Sequence, residues 1–109
     1  MGPRNHGVSK MQIISRKVRI PVFLSKERKS YVAYSPALDL SSCGRTLAQA
    51  QKRFSGAVGL FLDELEAMGT LDQVLTELGW QKQEHPRKEW IPPHLLKHTQ
   101  MEVTIPVHA

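Results

Sequence analysis

The sequence has one cysteine, few aromatic residues and no long apolar run, and each scarcity excludes a class of protein. Cys43 alone cannot form an internal disulfide, which agrees with a reducing compartment. No apolar stretch approaches the roughly 20 residues that span a bilayer, and the chain does not begin like a secretory signal. We therefore expect a cytoplasmic protein with no membrane partner.

Acidic residues are scarce in the first half of the chain. Residues 1–53 carry eleven Lys or Arg and two acids, a net charge of +9, whereas residues 54–109 carry four and eight, a net charge of −4. Such polarity can steer a nucleic acid or an acidic partner to one side of the domain, but charge runs more often form solvated faces.

The 109 residues suffice for one domain with a modest core. Residues 1–11 offer almost nothing to bury, and we interpret them as a disordered tail or an expression remnant. Residues 12–109 are predicted to form a single domain.

Alternating apolar residues predict an antiparallel sheet. The first strand is expected from Ile14 to Leu24, either at a sheet edge or bulged at Pro21, which cannot donate to a ladder, with a turn at residues 25–30. Residues 31–35 and 38–42 predict two further strands joined by a corner at Pro36.

One apolar stripe predicts a long helix across this sheet. Thr46 and Gln49 form a capping box at its start, and Gly69 ends it. Gly56 and Gly59 predict close packing on a strand or a second subunit. The stripe has seven members: Leu47, Ala50, Phe54, Val58, Phe61, Leu65 and Met68.

The rest of the chain predicts smaller elements. Thr70 and Gln73 are expected to cap a short helix that Gly79 stops, with Trp80 closing over the core. Residues 81–88 are predicted to be a loop, residues 95–96 one helical turn, and residues 101–107 a last strand.

The motif in residues 31–50 resembles that of the HicB-like antitoxin family. The likeness continues through Leu71–Trp80 and covers roughly residues 12–108. Its matching positions are Tyr31, Val32, Ala33, Pro36, Leu38, Asp39, Leu40, Ser42, Gly44, Thr46 and Ala50.

This resemblance implies an α+β fold of partial ribonuclease H-like type. Such a fold has an antiparallel three-stranded sheet packed by one long helix, a short second helix, and a C-terminal strand that pairs within or between subunits. The open sheet has edges to cover, so we expect a homodimer or higher oligomer.

The resemblance also implies an antitoxin that occludes the active site of a small HicA-like ribonuclease toxin. Family antitoxins often carry a DNA-binding module, and none follows the last predicted strand, so we expect no transcriptional repression. The residues expected to contact the partner are Asp39, Ser42, Arg45, Asp63, Glu64 and Glu66.

An alternative function is the binding of RNA or another nucleic acid through basic residues near the first hairpin. Aromatic residues for base stacking are limited to Phe23, Tyr31 and Tyr34. A third reading is an orphan family member that retains only oligomerisation. The basic residues expected to contact phosphates are Arg16, Lys17, Arg19, Lys26, Arg28 and Lys29.

No enzyme is predicted. Two-metal phosphoryl transfer needs several converging carboxylates, and the predicted sheet offers Asp39 alone. His94 and His98 have the spacing of paired metal ligands but lack a third ligand, so we interpret both as surface residues. We accordingly expect neither a metal nor a cofactor.

Overall fold

A three-stranded antiparallel sheet with a long helix across it forms the body of the protein. The computed structural model describes residues 15–108. The strands are β1 (Phe23–Glu27), β2 (Ser30–Ser35) and β3 (Leu40–Gly44), in the order β1-β2-β3. The predicted α+β class is therefore confirmed. The sequence-based expectations for residues 1–14 lie outside the described residues.

The first strand starts later than the sequence predicted. β1 begins at Phe23, after Pro21, and continues to Glu27, so the turn holds only Arg28 and Lys29. Arg28 adopts a φ of 55°, the left-handed conformation that two-residue hairpin turns require. The predicted strand over residues 15–22 and the six-residue turn are wrong, but β1 is an edge strand as expected.

Helix α1 (Leu47–Met68) begins and ends as predicted. The Thr46 hydroxyl accepts from the backbone N–H of Gln49 at 3.0 Å, and the Gln49 side chain accepts from the backbone N–H of Arg45 at 2.7 Å. Gly69, with φ 73°, donates to the Glu66 carbonyl at 3.1 Å and ends the helix in a left-handed cap.

The core lies between α1 and the helix-facing side of β2 and β3. Ala33 and Ser35 are fully buried there, and Ala33 packs against Ala50 and Phe54 of α1. Leu47 and Met68, at the two ends of the predicted apolar stripe, are 46% and 67% exposed. A helix of 22 residues is about 33 Å long, so its ends extend beyond strands of about 17 Å.

A glycine allows the start of α1 to approach β3 closely, but it is not either of the glycines that the sequence singled out. A Cβ atom at Gly44 would lie 2.7 Å from the backbone nitrogen of Ala50. At Gly56 and Gly59 a Cβ atom would meet nothing within 4 Å, so their predicted packing against a strand is wrong.

Helix α2 (Leu71–Glu77) packs on the second half of α1. Thr70 does not cap it with its side chain, contrary to expectation. Trp80 closes over the core as predicted: it is 7% exposed and its indole N–H donates to the Ala37 carbonyl at 2.7 Å. This bond ties the end of α2 to the corner between β2 and β3.

The polar segment after Trp80 is a hairpin rather than the predicted loop. β4 (Gln81–Gln83) pairs with β5 (Glu89–Ile91), forming a separate two-stranded sheet. Lys82 stabilises this hairpin, because its ammonium lies 2.8 Å from the Asp72 carboxylate and 5.8 Å from the centre of the Trp90 ring. The raised pKa of Lys82 follows first from its hydrogen bond to Asp72.

Residues 92–108 form neither a helix nor a strand in the single chain. The predicted helical turn at residues 95–96 and the predicted strand at residues 101–107 are therefore absent from it. Neither helix in residues 15–108 combines the length and the hydropathy needed to cross a bilayer.

Candidate functional site

The fold converts the charge asymmetry of the sequence into two oppositely charged ends. In register, Lys26 lies opposite Tyr31, and Tyr31 lies opposite Gly44, so the β1–β2 turn and the end of β3 are neighbours. We call the cations gathered here the basic end, and they are Lys26, Arg28, Lys29, Arg45 and Arg53.

Contacts of the basic end help to hold its cations in place. The Lys26 ammonium lies 5.6 Å from the centre of the Tyr31 ring. The Arg53 guanidinium donates to the Cys43 carbonyl at 3.2 Å, on the outer edge of β3. An open hollow of about 570 Å³ beside the turn is lined by Arg28, Lys29 and Cys43, among others. Phosphate or carboxylate groups are the ligands that such a surface attracts.

The other predicted phosphate-contacting residues do not join this cluster. Arg16, Lys17 and Arg19 lie in the irregular segment before β1, at the opposite end of that strand from Arg28 and Lys29. Arg16 instead donates to the Lys88 carbonyl at 3.1 Å, next to the β4–β5 hairpin. The predicted basic set is thus split between two places.

The aromatic residues are also divided between the two faces of the sheet. Phe23 and Tyr34 lie directly opposite each other on the face turned away from α1. Tyr31 lies on the helix side, where it packs beside Ala33 and Phe54. Phe23 is 42% exposed. No row of three aromatic side chains is available on one face for stacking bases.

The carboxylates of α1 occupy its second half, more than two turns from the nearest cation on the same helix. Residues 45–53 contain three basic residues and no acid, whereas residues 54–72 contain four acids and no base. This distribution is the reverse of the one that the helix dipole favours, which places acids near the N-terminus and bases near the C-terminus. α1 has no acid in its first turn and no base in its last.

The three carboxylates do not share one face. With 3.6 residues per turn, Asp63 points away from Phe54 and the core. Around the helix axis, Glu64 lies about 100° from Asp63 in one direction, and Glu66 lies about 60° from Asp63 in the other. Glu66 is the smallest contributor to the raised pKa of Lys82, to which Asp63 and Glu64 do not contribute. We therefore consider Asp63 and Glu64 together.

Two exposed apolar residues that the sequence did not predict as functional flank these two acids. Leu60, Glu64 and Met68 follow one another at four-residue spacing and therefore lie on one side of α1. Leu60 is 71% exposed and Met68 67% exposed. Met68 had been assigned to the core stripe. We call Leu60, Asp63, Glu64 and Met68 the acidic-apolar surface.

The remaining predicted partner residues are dispersed. Ser42 is half-buried on the helix side of β3, and Arg45 belongs to the basic end. Arg45 and Asp63 are separated by about 25 Å along α1. Asp39, which has a φ of 51°, lies in the corner before β3.

Asp39 has a local hydrogen-bonding partner. Its carboxylate accepts from the Tyr34 hydroxyl at 3.0 Å, and this bond is the main cause of the raised pKa of Tyr34. The contact occupies part of the hydrogen-bonding capacity of Asp39. The six predicted partner residues therefore do not form one continuous surface.

The side chains considered as metal ligands or nucleophiles lie apart from one another. Within residues 15–108, no three His, Cys, Asp or Glu side chains converge as metal ligands do. His94 and His98 are exposed in the irregular C-terminal segment, and Cys43 is exposed on β3.

Comparison with protein-family models, with curated proteins and with solved structures finds no match to this chain. The likeness to HicB-like antitoxins therefore stays a prediction from the sequence motif.

Proposed function

We propose that this chain is a HicB-like antitoxin of the cytoplasm, with a partial ribonuclease H-like fold, that neutralises a small HicA-like ribonuclease toxin. The observation that carries the proposal is the acidic-apolar surface. There, carboxylates and large apolar side chains are presented together on a rigid helix rather than on a loop.

The charges of this surface are uncompensated. The salt bridges of residues 15–108 are Lys82–Asp72 and Arg87–Glu89, and neither includes Asp63 or Glu64. A cationic partner could pair with both carboxylates without first breaking an ion pair within the described residues.

The chemistry of the surface fits occlusion of an RNA-cleaving protein. A toxin that holds RNA needs cations to bind phosphates, and the two carboxylates can occupy those cations in place of RNA. Leu60 and Met68 then exclude water around the ion pairs, which strengthens them. Inhibition requires no chemistry from the antitoxin itself.

The test is an RNA-cleavage assay with the short basic protein encoded beside this gene. We expect one equivalent of the wild-type chain to stop cleavage, and Asp63→Lys/Glu64→Lys to lose inhibition. The matched control is Glu77→Lys/Glu102→Lys, which makes the same charge change elsewhere and should inhibit normally. Cleavage that continues with excess wild-type chain contradicts the proposal, as does the absence of any such neighbouring gene.

A second candidate function, the binding of RNA or another nucleic acid, is favoured by the basic end. Five cations there lie around one hairpin turn and one helix start, and Glu27 is the acid among them. Each phosphate contact contributes about 0.7 to the slope of log affinity against log salt for single strands.

Fluorescence anisotropy with a labelled single-stranded RNA tests this second function. Arg28→Ala/Lys29→Ala should weaken binding and lower the salt slope by about 1.4. Lys88→Ala/Lys97→Ala removes the same charge far from the turn and should leave the slope unchanged. Equal slopes in all three proteins would exclude the basic end as the binding surface.

A further inference from the structure

The C-terminal segment has the sequence of a β-strand but has no partner in the single chain. Met101, Val103, Ile105 and Val107 alternate with polar residues or proline, and they are 83%, 68%, 70% and 86% exposed. Such alternation is typical of a strand with one covered face. Leaving four large apolar side chains in water forfeits the free energy that burying them would supply.

β1 offers a free edge to such a strand. It pairs with β2 on one side only, and α1 packs on β2 and β3 rather than on β1. In a two-residue hairpin the residues flanking the turn form a hydrogen-bonded pair, here Glu27 and Ser30. Backbone groups alternate from there, so those of Leu24 and Lys26 point away from β2, toward the free edge.

The opposite edge of the sheet is less available. The Cys43 carbonyl, on the outer side of β3, already accepts from Arg53. β3 also leads directly into α1 after Gly44 and Arg45. Of the two edges of the three-stranded sheet, β1 is therefore the one with open donors and acceptors.

Pro106 fixes which side of the segment can bind. Proline has no N–H, so if the segment is added as a strand, the backbone of Pro106 must point away from the strand with which the segment pairs. The backbone groups of residues 102 and 104 then also point away from that strand, whereas the N–H and C=O groups of Val103 and Ile105 point toward it. The proline is thus compatible with a strand that pairs on one side.

The shape of the molecule shows that the segment does not fold back onto its own sheet. It leaves the domain at Pro93 and Leu95, beside Pro21 and Pro36. The principal extents are 75 × 30 × 24 Å and the radius of gyration is 18.7 Å. A compact chain of this length has a radius of gyration of about 13 Å.

We infer that residues 101–107 of one chain add as a strand to the free β1 edge of a second copy, which returns its own segment in the same way. Each copy supplies both the strand and the edge that accepts it. The exchange is closed by a two-fold axis and leaves no β1 edge unpaired. It places the apolar side chains of the segment beside the exposed apolar side chains of β1, Phe23 and Leu24, and does not depend on whether the chain binds a toxin.

Proline substitutions in the full-length chain test the exchange, because proline deletes single backbone donors. Val103→Pro removes a backbone N–H that points toward β1 of the second copy. Its control, Thr104→Pro, removes a backbone N–H that points away from β1. Lys26→Pro removes the outward donor of the edge, and Lys26→Ala keeps it while losing the same side chain. Light scattering after size exclusion at micromolar concentration reports the mass, and circular dichroism reports folding.

We expect dimers from the wild-type chain, Thr104→Pro and Lys26→Ala, and monomers from Val103→Pro and Lys26→Pro. Mixing the two monomeric variants should restore dimers, since one retains an intact edge and the other an intact strand. A monomeric wild-type chain would overturn the inference, and so would dimers that survive Val103→Pro. Val103 lies outside the folded body, so this variant remains decisive if Lys26→Pro fails to fold.

Discussion

Replacing glycine by alanine at two positions of this chain should change the free energy of unfolding in opposite directions. At Gly44 the added methyl group would lie 2.7 Å from the backbone nitrogen of Ala50 and 3.0 Å from the Cβ atom of Gln49. Backbone cannot rotate away as a side chain can, so the start of α1 must shift. Overpacking of this kind costs about 1–3 kcal/mol.

Gly56 provides the matched control. It lies inside α1 and a methyl group there would meet nothing within 4 Å. Gly56→Ala removes backbone freedom from the unfolded chain and should stabilise the protein by about 0.5–1 kcal/mol. The same chemical change is therefore expected to lower stability at one position and raise it at the other.

Urea unfolding followed by circular dichroism measures both effects. The midpoint should fall for Gly44→Ala and rise for Gly56→Ala, with unchanged slopes, since the surface exposed on unfolding stays the same. In thermal unfolding, each 1 kcal/mol corresponds to about 4–8 °C for a domain of this size. A stabilised Gly44→Ala protein would refute the close approach of β3 and α1, and a destabilised Gly56→Ala protein would refute the open surroundings of Gly56.

Three further outcomes follow from single contacts. Thr46→Ala removes the cap of α1 and should cost about 1 kcal/mol in urea unfolding, whereas Thr46→Ser should cost less. Trp80→Phe leaves the buried Ala37 carbonyl without its donor and should cost about 1–3 kcal/mol by the same measurement; an unchanged midpoint would contradict that bond. Asp39→Asn should lower the pKa of Tyr34 toward its ordinary value, seen as an earlier rise of tyrosinate absorbance with pH. Because folding raises the pKa of Tyr34, the stabilisation is present below pH 10 and is lost as pH rises through the folded pKa.

The sequence predicted α1 well because its signals are local. The capping pair Thr46 and Gln49, the apolar period and Gly69 all act within a few residues of one another. β2 was also predicted closely, since its alternation ends at Pro36, whereas β3 lies two residues later than the predicted residues 38–42 because the corner extends to Asp39.

The misses involve elements whose position is set by a partner strand. The apolar alternation over residues 18–24 indicated a strand, but pairing with β2 moves β1 to residues 23–27. No glycine or asparagine marks the turn at Arg28 and Lys29. β4 and β5 are polar, so no apolar alternation revealed them. Residues 101–107 show the reverse case, in which the pattern is present and the partner is absent from the chain.

The candidate site was predicted only in part, because sequence does not show which side of a helix is covered. The acids of α1 were recognised, but Leu60 was overlooked and Met68 was assigned to the core. α1 extends past the strands, which exposes Met68 at its end.

The bond between Trp80 and the Ala37 carbonyl also constrains the order in which the protein is made. It joins residues 43 positions apart, so the ribosome must synthesise the whole of α1 and α2 before the donor exists. Until then the corner between β2 and β3 keeps an unmatched acceptor that stays hydrated. The β2–β3 hairpin can form early in synthesis, but the Ala37 carbonyl can lose its bound water only after Trp80 has been added to the chain.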